Sequence, residues 1–176
     1  MPLLIIPVVY PMCEQITDFE NALQQLVGLE CWNVMAGAVG SLASLDIGAK
    51  VPRDKPLPYP NVKLSPDEHK FRGEFVLYLE YCPWRLDSSD EVLASWNDSN
   101  APRGRIVTGL KRLIGAKISG VELLRPGLDL TVRFDNDLTL RIFPDMTQRD
   151  EGDNYSLSVA NEVTYIVGAH SELRIE

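Results

Sequence analysis

Two short stretches of the chain repeat their hydrophobic residues at the spacing of an α-helix. In the first stretch the apolar positions are Ile16, Phe19, Leu23, Leu26 and Val27, followed by Gly28. In the second they are Ile106, Val107, Leu110, Leu113 and Ile114, followed by Gly115. Residues three or four apart share one face of a helix, and glycine commonly follows its last turn. The pattern predicts two short amphipathic helices, each of which covers a sheet.

Alternating apolar and polar residues predict β-strands in both halves of the chain. The clearest pair, 128–134 and 138–142, flanks the polar turn 135–137, as in an antiparallel hairpin with one solvated face. The other strands predicted in the second half are 117–124, 154–160, 164–168 and 172–175, and those in the first half are 31–36, 41–47, 74–81, 84–87 and 91–96. We expect the strands after residue 154 to complete the sheet that this hairpin begins.

The helix and strand signals recur along the chain at fixed shifts. Leu23 recurs as Leu110, a shift of 87 residues (110 − 23), and Trp84 recurs as Tyr155, a shift of 71 (155 − 84). The shift falls because the first half carries the longer loop. Self-similarity of this kind indicates an internal repeat. The sequence predicts an α+β fold of two tandem copies of a short helix plus an antiparallel β-sheet unit, in a pseudo-two-fold arrangement.

Two segments fall outside the repeated pattern. Residues 1–12 begin with an apolar, proline-containing run, which predicts an N-terminal arm that covers apolar surface. Residues 48–73 contain five prolines and fit no periodic element, so they predict a long loop that is either functional or an inert insertion. The first repeat is then 13–98, the second is 99–176, and together they form one compact globular domain.

Charge and composition narrow the classes of partner. The chain has 25 acidic and 17 basic residues, a formal net charge of −8. Nucleic-acid binding is not expected, because it depends on lysine and arginine neutralising phosphates, and a basic protein partner is favoured. The apolar start is too short to span a bilayer, so we expect no membrane association. Three cysteines without a C-x-x-C motif favour reduced thiols and a cytoplasmic protein.

Residues with catalytic potential are few. The two histidines, His69 and His170, have no second metal ligand at a suitable spacing, and no common hydrolase, nucleotide-binding or metalloprotease motif occurs. The sequence predicts no catalytic residue, no metal site and no cofactor. Four carboxylates crowd one loop, at Asp145, Asp150, Glu151 and Asp153. This loop is either a solvated acidic surface or a weak cation site.

The string 81–87, with Trp96 downstream, holds the strongest recognition residues. Trp84 and Arg85 belong to the residue types that dominate protein interfaces. The alternative is that Trp84 belongs to the core, since Tyr155 occupies its equivalent position, and that Arg85 pairs with a carboxylate. The predicted binding residues are Tyr59 and His69 in the long loop, Trp84 and Arg85 in the string, and Asp145, Asp150, Glu151 and Asp153 in the acidic loop.

The strings 40–41, 73–85 and 113–138 resemble those of small bacterial proteins of uncharacterised function, which are similar in style to cytosolic immunity proteins of polymorphic toxin systems. The resemblance implies a role in protein binding and transfers no catalytic residue. We therefore expect a non-enzymatic protein-binding module, immunity-like or regulatory, as a monomer or homodimer. Two alternatives stay open: a small-molecule-binding protein that uses the cleft between repeats, and an enzyme without a recognisable local motif.

Overall fold

The protein is a mixed α+β structure with two antiparallel sheets. The computed structural model describes residues 10–55, 64–148 and 152–176. Its helices are α1 (Tyr10–Gln24), α2 (Pro66–Lys70) and α3 (Arg105–Leu110), and a 3-10 turn follows α3 at Lys111–Leu113. Its strands are β1 (Cys31–Ala36), β2 (Ala43–Pro52), β3 (Phe71–Leu79), β4 (Trp84–Asp87), β5 (Val92–Ser95), β6 (Ile118–Leu124), β7 (Asp129–Phe134), β8 (Thr139–Ile142), β9 (Tyr155–Val159), β10 (Val163–Val167) and β11 (Leu173–Ile175).

Each sheet contains strands from both halves of the chain. The six-stranded sheet has the order β1-β2-β3-β9-β10-β11, and the five-stranded sheet has the order β5-β4-β8-β7-β6. The strands after residue 154 therefore do not complete the sheet of the β7–β8 hairpin, as the sequence predicts, but join the other sheet. Alternation sets which side chains are buried but does not select the pairing partner, so the exchange of strands leaves no local signal.

The two sheets use the same pairing register. Cys31 pairs with Ile47 in β1–β2, and Ile118 pairs with Phe134 in β6–β7, which are the same positions shifted by 87 residues. Both pairs are followed by an irregularity of one residue. Strand order matches as well, since β6-β7-β8-β4-β5 corresponds position by position to β1-β2-β3-β9-β10.

The starts of β1 and β6 meet, and each makes the same contact with the other. Glu30 and Lys117 form an isolated antiparallel bridge, and these two residues are also 87 apart. On either side, Gly28 N donates to Ile118 O at 2.7 Å, and Gly115 N donates to Cys31 O at 2.8 Å. Both glycines have positive φ, 89° and 87°, where a side chain would be strained.

The apolar faces predicted from the sequence form one core. The predicted core residues Leu23, Leu26, Leu110, Leu113, Leu130, Val132 and Phe134 are all buried. Helix α1 packs against β6 and β11, and α3 packs against β1 and β5. Val27 and Ile114, the last apolar residue of each predicted helix, are instead exposed because each follows the end of the regular helix.

Regular elements extend into both segments that the sequence analysis sets apart from the repeats. Helix α1 begins at Tyr10, so the boundary predicted at residue 12 falls within a helix, and residues 1–9 lie outside the described part. Strand β2 continues to Pro52 and β3 starts at Phe71. Ser65 and Glu68 cap α2 reciprocally, and Pro66 occupies its first turn, which stabilises a helix start inside the predicted loop.

Candidate functional site

The chain passes between the two sheets twice, and the two crossings lie side by side. The connection from β3 to β4 and that from β8 to β9 are joined by three backbone hydrogen bonds. Phe143 N donates to Pro83 O at 2.9 Å, Tyr81 N donates to Asp153 O at 3.1 Å, and Glu80 N donates to Asn154 O at 3.0 Å. The exchange of strands thus brings residues 80–85 close to residue 143 and residues 153–154.

Three large aromatic side chains are exposed around these crossings. Tyr81 is 56 %, Trp96 46 % and Phe143 36 % exposed. Tyr81 and Phe143 lie on the crossings themselves, whereas the pairing of Arg85 with Ser95 places Trp96 on the sheet face of the buried Trp84. Aromatic residues are enriched at the centres of protein interfaces, since they bury a large area for few rotatable bonds. We call the surface formed by Tyr81, Arg85, Arg141 and Phe143 the crossover surface.

Two guanidinium groups share one carboxylate on the crossover surface. Arg85 Nε lies 3.1 Å and Arg141 Nε 2.9 Å from Asp87 Oδ2. The Arg85 guanidinium also lies 5.8 Å from the centre of the Phe143 ring, within the range of a cation–π contact. Both arginines remain well exposed while Asp87 is mostly covered. One positive charge of this group is therefore uncompensated.

Trp84 is not a surface anchor, and that prediction is wrong. Its side chain is completely buried, and its Nε1 donates to Ser41 O at 3.1 Å. Tyr155, its equivalent in the second half, is also fully buried and donates from its hydroxyl to Leu128 O at 2.8 Å. Ser41 and Leu128 are themselves 87 residues apart. The alternative assignment of Trp84 to the core is the one that the burial supports.

The predicted acidic loop contributes a partly neutralised edge to this region. Asp145 is exposed, and Asp153 forms an ion pair of 2.9 Å with Arg174. Burial, and next to it the charge of Asp153, raises the pKa of the nearby Glu80 carboxyl. Asp150 and Glu151 lie outside the described residues. Among the described residues, no group of three or more His, Cys, Asp or Glu is arranged to hold a metal ion.

His69 does not join the crossover surface. It lies exposed in the last turn of α2, directly before β3, while Tyr81 follows the other end of that strand. The nine residues of β3 span roughly 26 Å at about 3.3 Å per residue. Tyr59 lies outside the described residues. The described members of the predicted binding set therefore do not form one site.

A groove lies between α1 and β6, which come from different halves of the chain. Its volume is about 430 Å³, and it is lined by Glu20, Asn21, Leu23, Gln24, Val121, Glu122 and Leu123. Gln24 Nε2 donates to the Val121 carbonyl at 3.3 Å. Its two carboxylates are already paired, Glu20 with Arg125 and Glu122 with Arg133.

The two described cysteines are buried and free. Burial, followed by the charge of Asp46, raises the pKa of the Cys31 thiol to about 12. Burial, followed by the charge of Asp145, raises the pKa of the Cys82 thiol to about 12. Cys82 Sγ also lies 3.1 Å from Asn154 O, to which the thiol donates. Neither group supplies a thiolate nucleophile at neutral pH.

We expect the protein to lose stability as the pH rises from about 9 to about 12. The unfolded thiols ionise near 9, whereas the folded thiols stay neutral up to about 12, so the unfolded state loses protons first. The stabilisation is complete below 9 and falls by up to about 1.4 kcal/mol per pH unit for each thiol. Urea midpoints measured across this range test it, and Cys82→Ala should flatten the slope. An unchanged slope in that variant would contradict the burial of Cys82.

Sequence reasoning missed Arg141 and Phe143 of the crossover surface. Phe143 follows directly on β8, where the alternation ends, and Arg141 reads as an ordinary solvent-facing residue of that strand. Their proximity to Arg85 depends on the pairing of β4 with β8. The string 81–87 was the sequence signal that pointed to this surface. Within it, Trp84 is a core residue and Arg85 is the surface residue.

No helix in the described residues is both long and apolar enough to cross a bilayer. Comparison of the chain with protein-family models, with curated proteins and with solved structures finds no match.

Proposed function

We propose that this protein is a non-enzymatic protein-binding module that uses the crossover surface. The observation that carries the proposal is the exposure of Tyr81 and Phe143 at the paired crossings, where Arg85 and Arg141 share Asp87 beside the Phe143 ring. Exposed aromatic and arginine side chains that are already held in place lose little entropy when a partner covers them. The strand exchange supplies that rigidity, because it fixes both crossings by backbone hydrogen bonds.

The partner is expected to present a carboxylate beside apolar side chains. Among the described residues, Arg85 and Arg141 form ion pairs with Asp87 alone, so an incoming carboxylate would complete the neutralisation and accept charge-assisted hydrogen bonds. Over longer distances, the net charge of −8 favours approach of a protein that is basic overall. A regulatory or immunity-like protein of the cytoplasm is the form of this role that the sequence resemblance suggests.

A photo-crosslinking amino acid at position 143 identifies the partner. Phe143 is replaced by benzoylphenylalanine, and the protein is irradiated in extract of its source cells. The matched control carries the same group at position 124, where Leu124 is also exposed but lies at the end of β6. A protein captured from position 143 and not from position 124 is then purified for titration.

Arg85→Ala and Phe143→Ala should each weaken binding of the captured protein by about tenfold or more, since central interface residues contribute over 1 kcal/mol. Arg141 still pairs with Asp87 in the first variant, so the fold is retained. Arg125→Ala is the control, because Arg125 is equally exposed and ion-paired, with Glu20. Calorimetric titration measures the constants. Equal affinity of all four proteins would end the proposal.

The groove between α1 and β6 favours a second candidate function. Its volume lies in the range of small-molecule sites, and it joins the two halves of the chain. A neutral or weakly cationic ligand fits best, because both glutamates are already paired. Mass spectrometry of gently purified protein should then find a co-purifying small molecule that Leu123→Trp displaces. The enzyme alternative gains no support from the two buried thiols.

We infer that the chain arose by internal duplication followed by exchange of the last two strands of each unit. Three correspondences support this inference: the shared register shifted by 87 residues, the matching strand orders, and the bridge between Glu30 and its own equivalent Lys117. A residue that pairs with its equivalent lies on the two-fold axis that relates them.

A further inference from the structure

The two equivalent helices carry opposite charge. The first 49 residues of the chain contain no lysine or arginine, and the α1 segment holds Glu14, Asp18, Glu20 and Glu30. Residues 99–121 contain no acidic residue, and the α3 segment holds Arg103, Arg105, Lys111, Arg112 and Lys117. We call these the acidic edge and the basic edge.

The opposition extends to individual equivalent positions. Asp18 on α1 corresponds to Arg105 on α3 at the shift of 87 residues, and Glu30 corresponds to Lys117. Val27 and Ile114 also correspond, and they are similarly exposed, at 43 % and 45 %. Each edge therefore presents one apolar side chain beside several charges of one sign, and the two edges meet where Glu30 bridges Lys117.

Most of these charges form no ion pair with another described residue. In the described part of the chain, none of the five cations of the basic edge forms an ion pair, and Glu14 and Asp18 form none either. The turn after β7 lies at one end of the basic edge, where the Asp135 carboxylate accepts a hydrogen bond from Lys117 N at 2.9 Å and Asn136 Nδ2 donates to Arg112 O at 3.1 Å.

The acidic edge is reinforced by a neighbouring strand end. Tyr165 on β10 packs beside α1, with its ring 5.2 Å from that of Phe19. Burial raises the pKa of Tyr165, and the charges of Asp18 and Glu162 add to that effect. Glu162 is exposed. Its carboxylate, like that of Asp18, acts on Tyr165 and adds negative charge to this edge.

We propose that the acidic edge of one molecule docks on the basic edge of a second copy of this chain. The contact joins two different surfaces and is therefore heterologous. Charge complementarity selects this occupant, since each edge displays the charge that the other lacks. Single exposed ion pairs contribute little, so the association depends on several pairs together and weakens as salt screens them.

Sedimentation velocity over a concentration series tests the proposal on wild type and four variants. One variant reverses two charges of the acidic edge, Glu14→Lys with Asp18→Lys, and another reverses two charges of the basic edge, Arg105→Glu with Arg112→Glu. A third variant combines all four changes on one chain. The control, Asp54→Lys with Asp90→Lys, alters net charge as much as the first variant at exposed positions outside both helices.

At about 20 mM salt, wild type should associate reversibly, and about 500 mM salt should abolish this, as the screening length falls from about 20 Å to about 4 Å. Each double variant should weaken self-association by about tenfold or more. Mixing the two double variants should restore it, as should the combined variant, while the control behaves like wild type.

Wild type that stays monomeric at low salt up to about 1 mM, where even contacts of about −4 kcal/mol are visible, would overturn the proposal. So would association that survives both double variants, or a mixture that fails to associate. These outcomes are independent of the crossover surface, because none of the substituted helix residues belongs to it.

Discussion

Trp84→Ala is expected to lower the free energy of unfolding by about 3–5 kcal/mol, the usual cost of truncating a fully buried aromatic side chain. The indole is completely buried, and its removal leaves both a cavity and a Ser41 carbonyl without its donor. Urea denaturation followed by circular dichroism measures the change. Trp96→Ala, at a residue 46 % exposed, should alter it by no more than about 0.5 kcal/mol.

The contribution of the Trp84 hydrogen bond to stability can be measured separately from that of its packing. Trp84→Phe keeps most of the apolar volume but leaves the Ser41 carbonyl without its donor, and Tyr155→Phe does the same at Leu128. Each change should cost about 1–3 kcal/mol. If Trp84→Ala instead left stability unchanged and only weakened partner binding, Trp84 would be a surface anchor and the burial described above would be wrong.

Leu110→Ala is expected to lower the free energy of unfolding by about 2–5 kcal/mol. Leu110 is completely buried where α3 packs against β1 and β5, and a closed site cannot collapse around the missing methyl groups. Leu23→Ala should cost a similar amount, because Leu23 occupies the equivalent position on α1 and is also buried.

Ile114→Ala is the control for Leu110→Ala. Ile114 follows the same helix but is 45 % exposed, so its truncation removes little buried area and should cost no more than about 0.5 kcal/mol. Chemical denaturation of the three variants against wild type gives the comparison. Equal losses at positions 110 and 114 would mean that α3 presents a different face to the sheets.

The sequence alone predicted the elements and the core more reliably than the site. Helical spacing identified the buried faces of α1 and α3, and alternation identified the β7–β8 hairpin together with its turn. These signals are local, since each depends on residues within one or two turns or strands. The capped helix α2 was missed because its five residues are too few to show a period.

The candidate site depended on pairings between distant residues. The string 81–87 drew attention to the right region, but tryptophan and arginine carry the same interface signal whether they are buried or exposed. Only the pairing of β4 with β5 and β8 places Trp84 inside and leaves Arg85, Trp96 and Phe143 outside. His69 was separated from this group by the length of β3, which no local pattern measures.

By itself, the sequence determined the α+β class, the mostly apolar faces that form the core, and the shifts of 87 and 71 residues at which similar residues recur. These properties follow from the spacing and the types of residues along the chain. Only the tertiary structure decided that each sheet takes strands from both halves, and with it which side chains meet at the crossover surface. The physical reason is that an alternating strand buries the same face beside either neighbour, so its partner is selected by packing of the whole core.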